Sequence, residues 1–126
     1  PVESPSTAAS ANGSLLETVQ VELQQAEAHY QKAIDGLEAI AREETGELDP
    51  QVAAVLQKNL QVIDMAIGES RAALRVQPAS APAQDSLFEA MRNKVALLQQ
   101  TVELINEMRK GNQAETARIV EGLGPT

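Results

Sequence analysis

The sequence predicts an all-α protein: an antiparallel, up-down-up three-helix bundle with long coiled-coil-like helices and a short C-terminal helix. Three observations lead there. Apolar residues recur at alternating spacings of three and four over three long stretches, which is the period of one helix face. Turn and capping residues separate these stretches at Gly46–Pro50 and at Gln77–Pro82. Aromatics make up 2% of the 126 residues, Tyr30 and Phe88 with no Trp, so the core must be aliphatic. Close-packed helices suit such a core better than a sandwich of strands.

The chain opens on residues 1–13, small and polar with two prolines, which read as a flexible linker or arm. Ser14 then matches the start of a capping box, Ser14-Leu15-Leu16-Glu17, and predicts a helix over about 14–45. Its heptad series is Leu16, Val19, Leu23, Ala26, Tyr30, Ala33, Leu37 and Ile40, with Gly46 as a left-handed stop. Gly36 inside it weakens the helix, and close approach of a neighbouring helix or local flexibility are equal reasons for a glycine there.

Asp49 is a good N-cap and Pro50 a good first helical residue, so the second helix runs over 50–76. Its stripe is Val52, Leu56, Leu60, Ile63, Ile67 and Leu74, and Gly68 repeats the oddity of Gly36. Ser80 caps a third helix over about 81–110. Phe88, Met91, Val95, Leu98, Val102 and Ile105 form its stripe, widened by Leu87, Ala90, Leu104 and Met108. Gly111 ends it, and residues 112–123 form a short fourth helix. The bundle thus spans 14–111. The core expected from these stripes is Leu23, Tyr30, Leu37, Ile40, Leu56, Leu60, Ile63, Ile67, Leu74, Phe88, Met91, Val95, Leu98, Val102 and Ile105. A second edge of the third helix, Leu97, Leu104 and Met108, is left over. If the short helix does not cover it, it is a partner-contact edge.

Charge and composition narrow the chemistry. The net charge is −8, and residues 1–49 carry all of it, with ten acids and two bases (Lys32 and Arg42). A nucleic-acid partner is not expected, because phosphate neutralisation needs a net basic face. There is no cysteine, which removes disulfides and thiolate metal sites. His29 is the sole histidine, and with Glu22 nearby it falls short of the three or four convergent ligands of a zinc site. Glu43, Glu44, Glu47 and Asp49 cluster around one turn, with Asp49 a cap and the others facing solvent. Met65, Met91 and Met108 read as core filling. No serine or threonine has a partner base, and no phosphate-binding glycine loop is present. The expectation is a non-enzyme with no catalytic, metal or cofactor site, acting through a protein partner or self-association. No apolar run reaches bilayer length, so any membrane link would come from an upstream segment. The chain begins at Pro1 without an initiator Met, which fits a piece of a longer protein.

One resemblance sharpens this reading. Residues 27–110 carry Glu27-Ala28-His29-Tyr30-Gln31-Lys32-Ala33-Ile34-Asp35-Gly36-Leu37-Glu38, then Leu48-Asp49-Pro50. Further on come Leu56-Gln57-Lys58-Asn59-Leu60-Gln61-Val62-Ile63-Asp64, Ala66-Ile67-Gly68-Glu69-Ser70-Arg71-Ala72-Ala73-Leu74, Pro78 and 87–94. This pattern resembles the extracytoplasmic helical C-terminal domain of bacterial single-pass zinc-finger anti-sigma factors. The resemblance implies a sensory or protein-interaction domain coupled through a membrane helix to transcription control. It implies a place on the periplasmic side of the inner membrane, with a cytoplasmic location the alternative. The family's His-x-x-x-Cys-x-x-Cys zinc finger and its membrane span do not occur in these 126 residues, so no sigma-binding residue carries over. Glu69 and Arg71 are expected as a surface pair. Two other readings compete. A tetratricopeptide-like scaffold lacks the required self-similarity at a 34-residue period, and an oligomerisation module with no regulatory role stands beside it as the alternative. A metal- or cofactor-carrying bundle lacks its ligand set.

Overall fold

The computed structural model describes residues 5–44, 46 and 48–123, with side chains described from Gly13 onward. Within them the chain is all-helical, with no strand: α1 (Pro5–Glu44), α2 (Pro50–Val76), α3 (Ala81–Lys110) and α4 (Gln113–Gly122).

The expected caps form where local chemistry required them. The Asp49 carboxylate accepts from the Gln51 N–H at 2.8 Å and Pro50 fills the first turn of α2. The Ser80 hydroxyl accepts from the Ala83 N–H at 3.3 Å. Gly111 takes the left-handed conformation, φ 74°, and its N–H closes onto the last carbonyls of α3. The Asn112 side chain then caps α4 through the Glu115 N–H at 3.2 Å.

The start of α1 differs from expectation. Residues 5–13, expected as a linker, are helical, and Ser14 lies inside the helix, where its carbonyl accepts from the Thr18 hydroxyl at 2.9 Å. Ala8, Ala9 and Ala11 are strong helix formers, and Pro5 sits in the first turn where its missing N–H costs nothing. Residues 1–4 and 124–126 lie outside the described residues. So do Thr45 and Glu47 on either side of Gly46; Gly46 itself lies in a 3-10 turn without the left-handed φ expected of it, and among the described residues Gly111 is the glycine that takes one.

α3 is the organising helix. It packs against α1, α2 and α4, whereas α1 and α2 meet through side chains rather than close backbone approach. Two apolar clusters flank it. One joins Ile34 of α1 and Ile67 of α2 to Leu87, Ala90, Met91 and Leu98 of α3. The other joins Leu48 of the α1–α2 turn, Leu56 of α2 and Ile119 of α4 to Leu97, Leu104 and Ile105 of α3. Leu60 and Ile63 pack against both.

The packing corrects the heptad reading of α1. Ile34, outside the predicted series, is 1% exposed, whereas Ile40, assigned to the core, is 44% exposed and Val19 51%. Helix α1 is turned so that Tyr30, Ile34 and Leu37 face α3. The heptad half Val19, Ala26, Ala33 and Ile40 is thereby carried to the edge of the interface. α3 shows the same offset: Met91, Leu98 and Ile105 are buried, while Phe88, Val95 and Val102 are half-buried. Leu23, Leu60, Ile63 and Leu74 are also half-buried, while Leu56 is buried. Met65, expected to fill the core, points outward and is exposed.

Candidate functional site

The polar residues nearest the core tie helices together. Lys94 of α3 is buried, with its Nζ 2.7 Å from Asp64 of α2 and 3.5 Å from Glu38 of α1. Arg71 of α2 donates to Glu27 at 3.0 Å and to Gln31 at 3.2 Å, both on α1. The expected Arg71–Glu69 surface pair is thus replaced by a cross-helix one. Glu44, expected to face solvent, pairs with Arg109 at 2.9 Å. Buried Thr101 turns its hydroxyl back to the Leu97 carbonyl at 2.8 Å, a bond that satisfies it without a partner helix. Among the described residues no buried side-chain nitrogen or oxygen lacks a partner. These groups are spent on structure.

Several surface hollows lie between the helices, among them three that border α1 and its neighbours. An end pocket of about 200 Å³ between α1 and the α2–α3 turn is lined by Gln20, Leu23, Glu27, Leu74, Gln84 and Phe88, among others. A groove of about 350 Å³ between α1 and α2 carries Glu38, Arg42, Gln61 and Asp64 over a floor of Leu60 and Leu98. An open apolar groove of about 340 Å³ lies between α1 and α3, formed by Ala26, His29, Tyr30, Ala33 and Val95. Its inner wall is steadied by the tilted contact of the Tyr30 and Phe88 rings, 6.0 Å between centroids.

Comparison with protein-family models, curated proteins and solved structures gives no match.

No group of three or more histidines or carboxylates is arranged to hold a metal ion among the described residues. His29 is exposed on the rim of the α1–α3 groove. Around the α1–α2 turn, Asp49 caps, Glu44 is paired and Glu47 lies outside the described residues.

The proposed partner edge of α3 is covered from within the chain. Leu97 and Leu104 are buried in the second cluster and Met108 packs against it, together with Ile119, Val120 and Leu123 from the C-terminal segment. The Asn59 amide of α2 donates to the Leu123 carbonyl at 3.4 Å and holds that segment down. No described helix is long and apolar enough to cross a membrane.

Exposed large apolar side chains lie on α2, at Val62, Met65 and Val76, and along α1. Leu15, Leu16, Val19, Val21 and Ile40 are all more than two-fifths exposed. Sequence periodicity placed most of these on an apolar face but could not say which half of the heptad α3 would cover.

Proposed function

We propose that this chain is a non-catalytic helical interaction domain, the extracytoplasmic sensory part of an anti-sigma-factor-like regulator. In this reading the three long helices form an antiparallel up-down-up bundle. The cross-helix pairs support that order: Glu27 with Arg71 and Glu38 beside Asp64 run antiparallel, while Tyr30 with Phe88 and Glu44 with Arg109 run parallel.

The observation that carries the functional reading is the division of labour among side chains. Polar groups near the core are used in helix-to-helix ties, and an apolar groove on α1 and α3 is left open. A surface of this kind suits a helical partner. The anti-sigma assignment rests on the resemblance of residues 27–110.

Its test is the sequence of the gene upstream of Pro1. The reading expects one membrane-spanning segment there, preceded by a zinc finger of the His-x-x-x-Cys-x-x-Cys type. An upstream sequence carrying neither removes the anti-sigma assignment and leaves a general interaction module. A tetratricopeptide-like scaffold is disfavoured by helices of 40, 27 and 30 residues, too long for that repeat.

A further inference from the structure

We propose that the outward seam of α1, formed by Val19, Ala26, Ala33 and Ile40, docks a basic amphipathic helix of a protein partner. The four residues recur at intervals of seven, so they lie along one line of the helix surface. Val19 and Ile40 are exposed, and Ala26 and Ala33 between them open into the groove above Val95. Two small residues between two large ones leave room for a bulky apolar side chain of a docked helix to insert.

Charge selects the occupant. The residues three places on from the seam, Glu22, His29, Gly36 and Glu43, also recur at sevens, and all four are exposed. Glu27, Glu38 and Glu44 of α1 are spent on Arg71, Lys94 and Arg109, but Glu22 and Glu43 make no ion pair among the described residues. They occupy the positions that set partner choice in a coiled coil, where Lys or Arg across the seam is favoured and like charge is penalised. A second copy docked on the same seam would bring the same acidic flank, Glu22 and Glu43, to the interface, and that flank offers no Lys or Arg. A cationic helix gains where a second copy loses.

The proposal deepens the interaction-module reading and rests on it only for the existence of a partner. The sequence upstream of Pro1 tests that reading separately. Here the test uses the full chain and two synthetic helices of about four heptads, alike in their leucine seam and differing only in Lys or Glu at the flanks. Fluorescence anisotropy is expected to show the Lys peptide binding at least about tenfold tighter than the Glu peptide, less so at high salt. Ala33→Glu, at an exposed position, should leave the circular dichroism melt in place and abolish binding. Because that change adds negative charge, its effect separates seam docking from bulk attraction. Glu22→Lys with Glu43→Lys should reverse the peptide preference. Equal binding of both peptides, no binding of either, or Lys-peptide binding undiminished by Ala33→Glu overturns the proposal. A dimer of the free chain in sedimentation equilibrium that Ala33→Glu dissociates overturns it in favour of a second copy.

Discussion

Lys94 Nζ of α3 lies 2.7 Å from Asp64 Oδ1 of α2, and the Lys94 side chain is 10% exposed while that of Asp64 is 53% exposed. The asymmetry decides what each substitution does. Asp64 and Glu38 can be solvated if Lys94 is removed, so Lys94→Met should change stability by no more than about 1 kcal/mol. Glu38→Gln with Asp64→Asn instead strands the ammonium and should cost about 2–3 kcal/mol. Urea unfolding of the two variants checks the ordering. A larger loss for Lys94→Met would mean that the pair itself, not its imbalance, holds the helices.

Close helix approach is one reading of Gly36, flexibility the other, and Gly68 poses the same question. A Cβ built on either meets nothing within 4 Å, and both residues are exposed. Each is then only a cost to helix propensity. Gly36→Ala and Gly68→Ala should each stabilise the chain by up to about 1 kcal/mol, read as a rise in the thermal midpoint. A drop would reveal a hidden close contact.

The fourth helix acts as a cover. Ile119 is 6% exposed and shares a cluster with Leu97 and Leu104. Ile119→Ala should cost about 2–4 kcal/mol. Deleting residues 113–123 uncovers the Leu97–Leu104 edge and is expected to give concentration-dependent self-association in analytical ultracentrifugation. A truncated chain that stays monomeric would show that this edge needs no cover.

One titration follows from α4. The Arg118 guanidinium donates to Glu115, 2.8 Å from Nε, and this hydrogen bond holds the Glu115 carboxyl below its ordinary value. Because the folded value is depressed, the contribution to stability is present above the unfolded pKa and is lost as pH falls through the lowered one. Arg118 is exposed and Glu115 half-buried at the surface, so the readout is the titration itself. Carbon-detected NMR should find Glu115 titrating below the ordinary glutamate value, and Arg118→Ala should return it to that value.

Much of the fold is legible in the sequence because it depends on local chemistry. Asp49, Pro50, Ser80 and Gly111 set helix ends through contacts a few residues away, and they appear where the residues placed them. What depends on rotation about a helix axis is not legible. Val19, Ala26, Ala33 and Ile40 belong to the same heptad pattern as Leu23, Tyr30 and Leu37, and the position of α3 decides which half is covered. Ile34 escaped notice for the same reason, since it lies off the heptad yet sits deepest on α1. The Lys94 tie is likewise a three-helix property. No spacing within α3 announces that Glu38 and Asp64 converge there. The Leu97–Leu104 edge was visible as apolar, but its cover comes from α4, whose docking no local pattern specifies.

The rotation of α1 underlies both the packing and the proposed docking seam, and one comparison measures it. Unfolding free energies should fall by about 2–5 kcal/mol for Ile34→Ala, which empties a buried site, and by less than about 1 kcal/mol for Ile40→Ala at the open edge. A loss for Ile40→Ala equal to or greater than that for Ile34→Ala would place the heptad seam in the core and contradict the account.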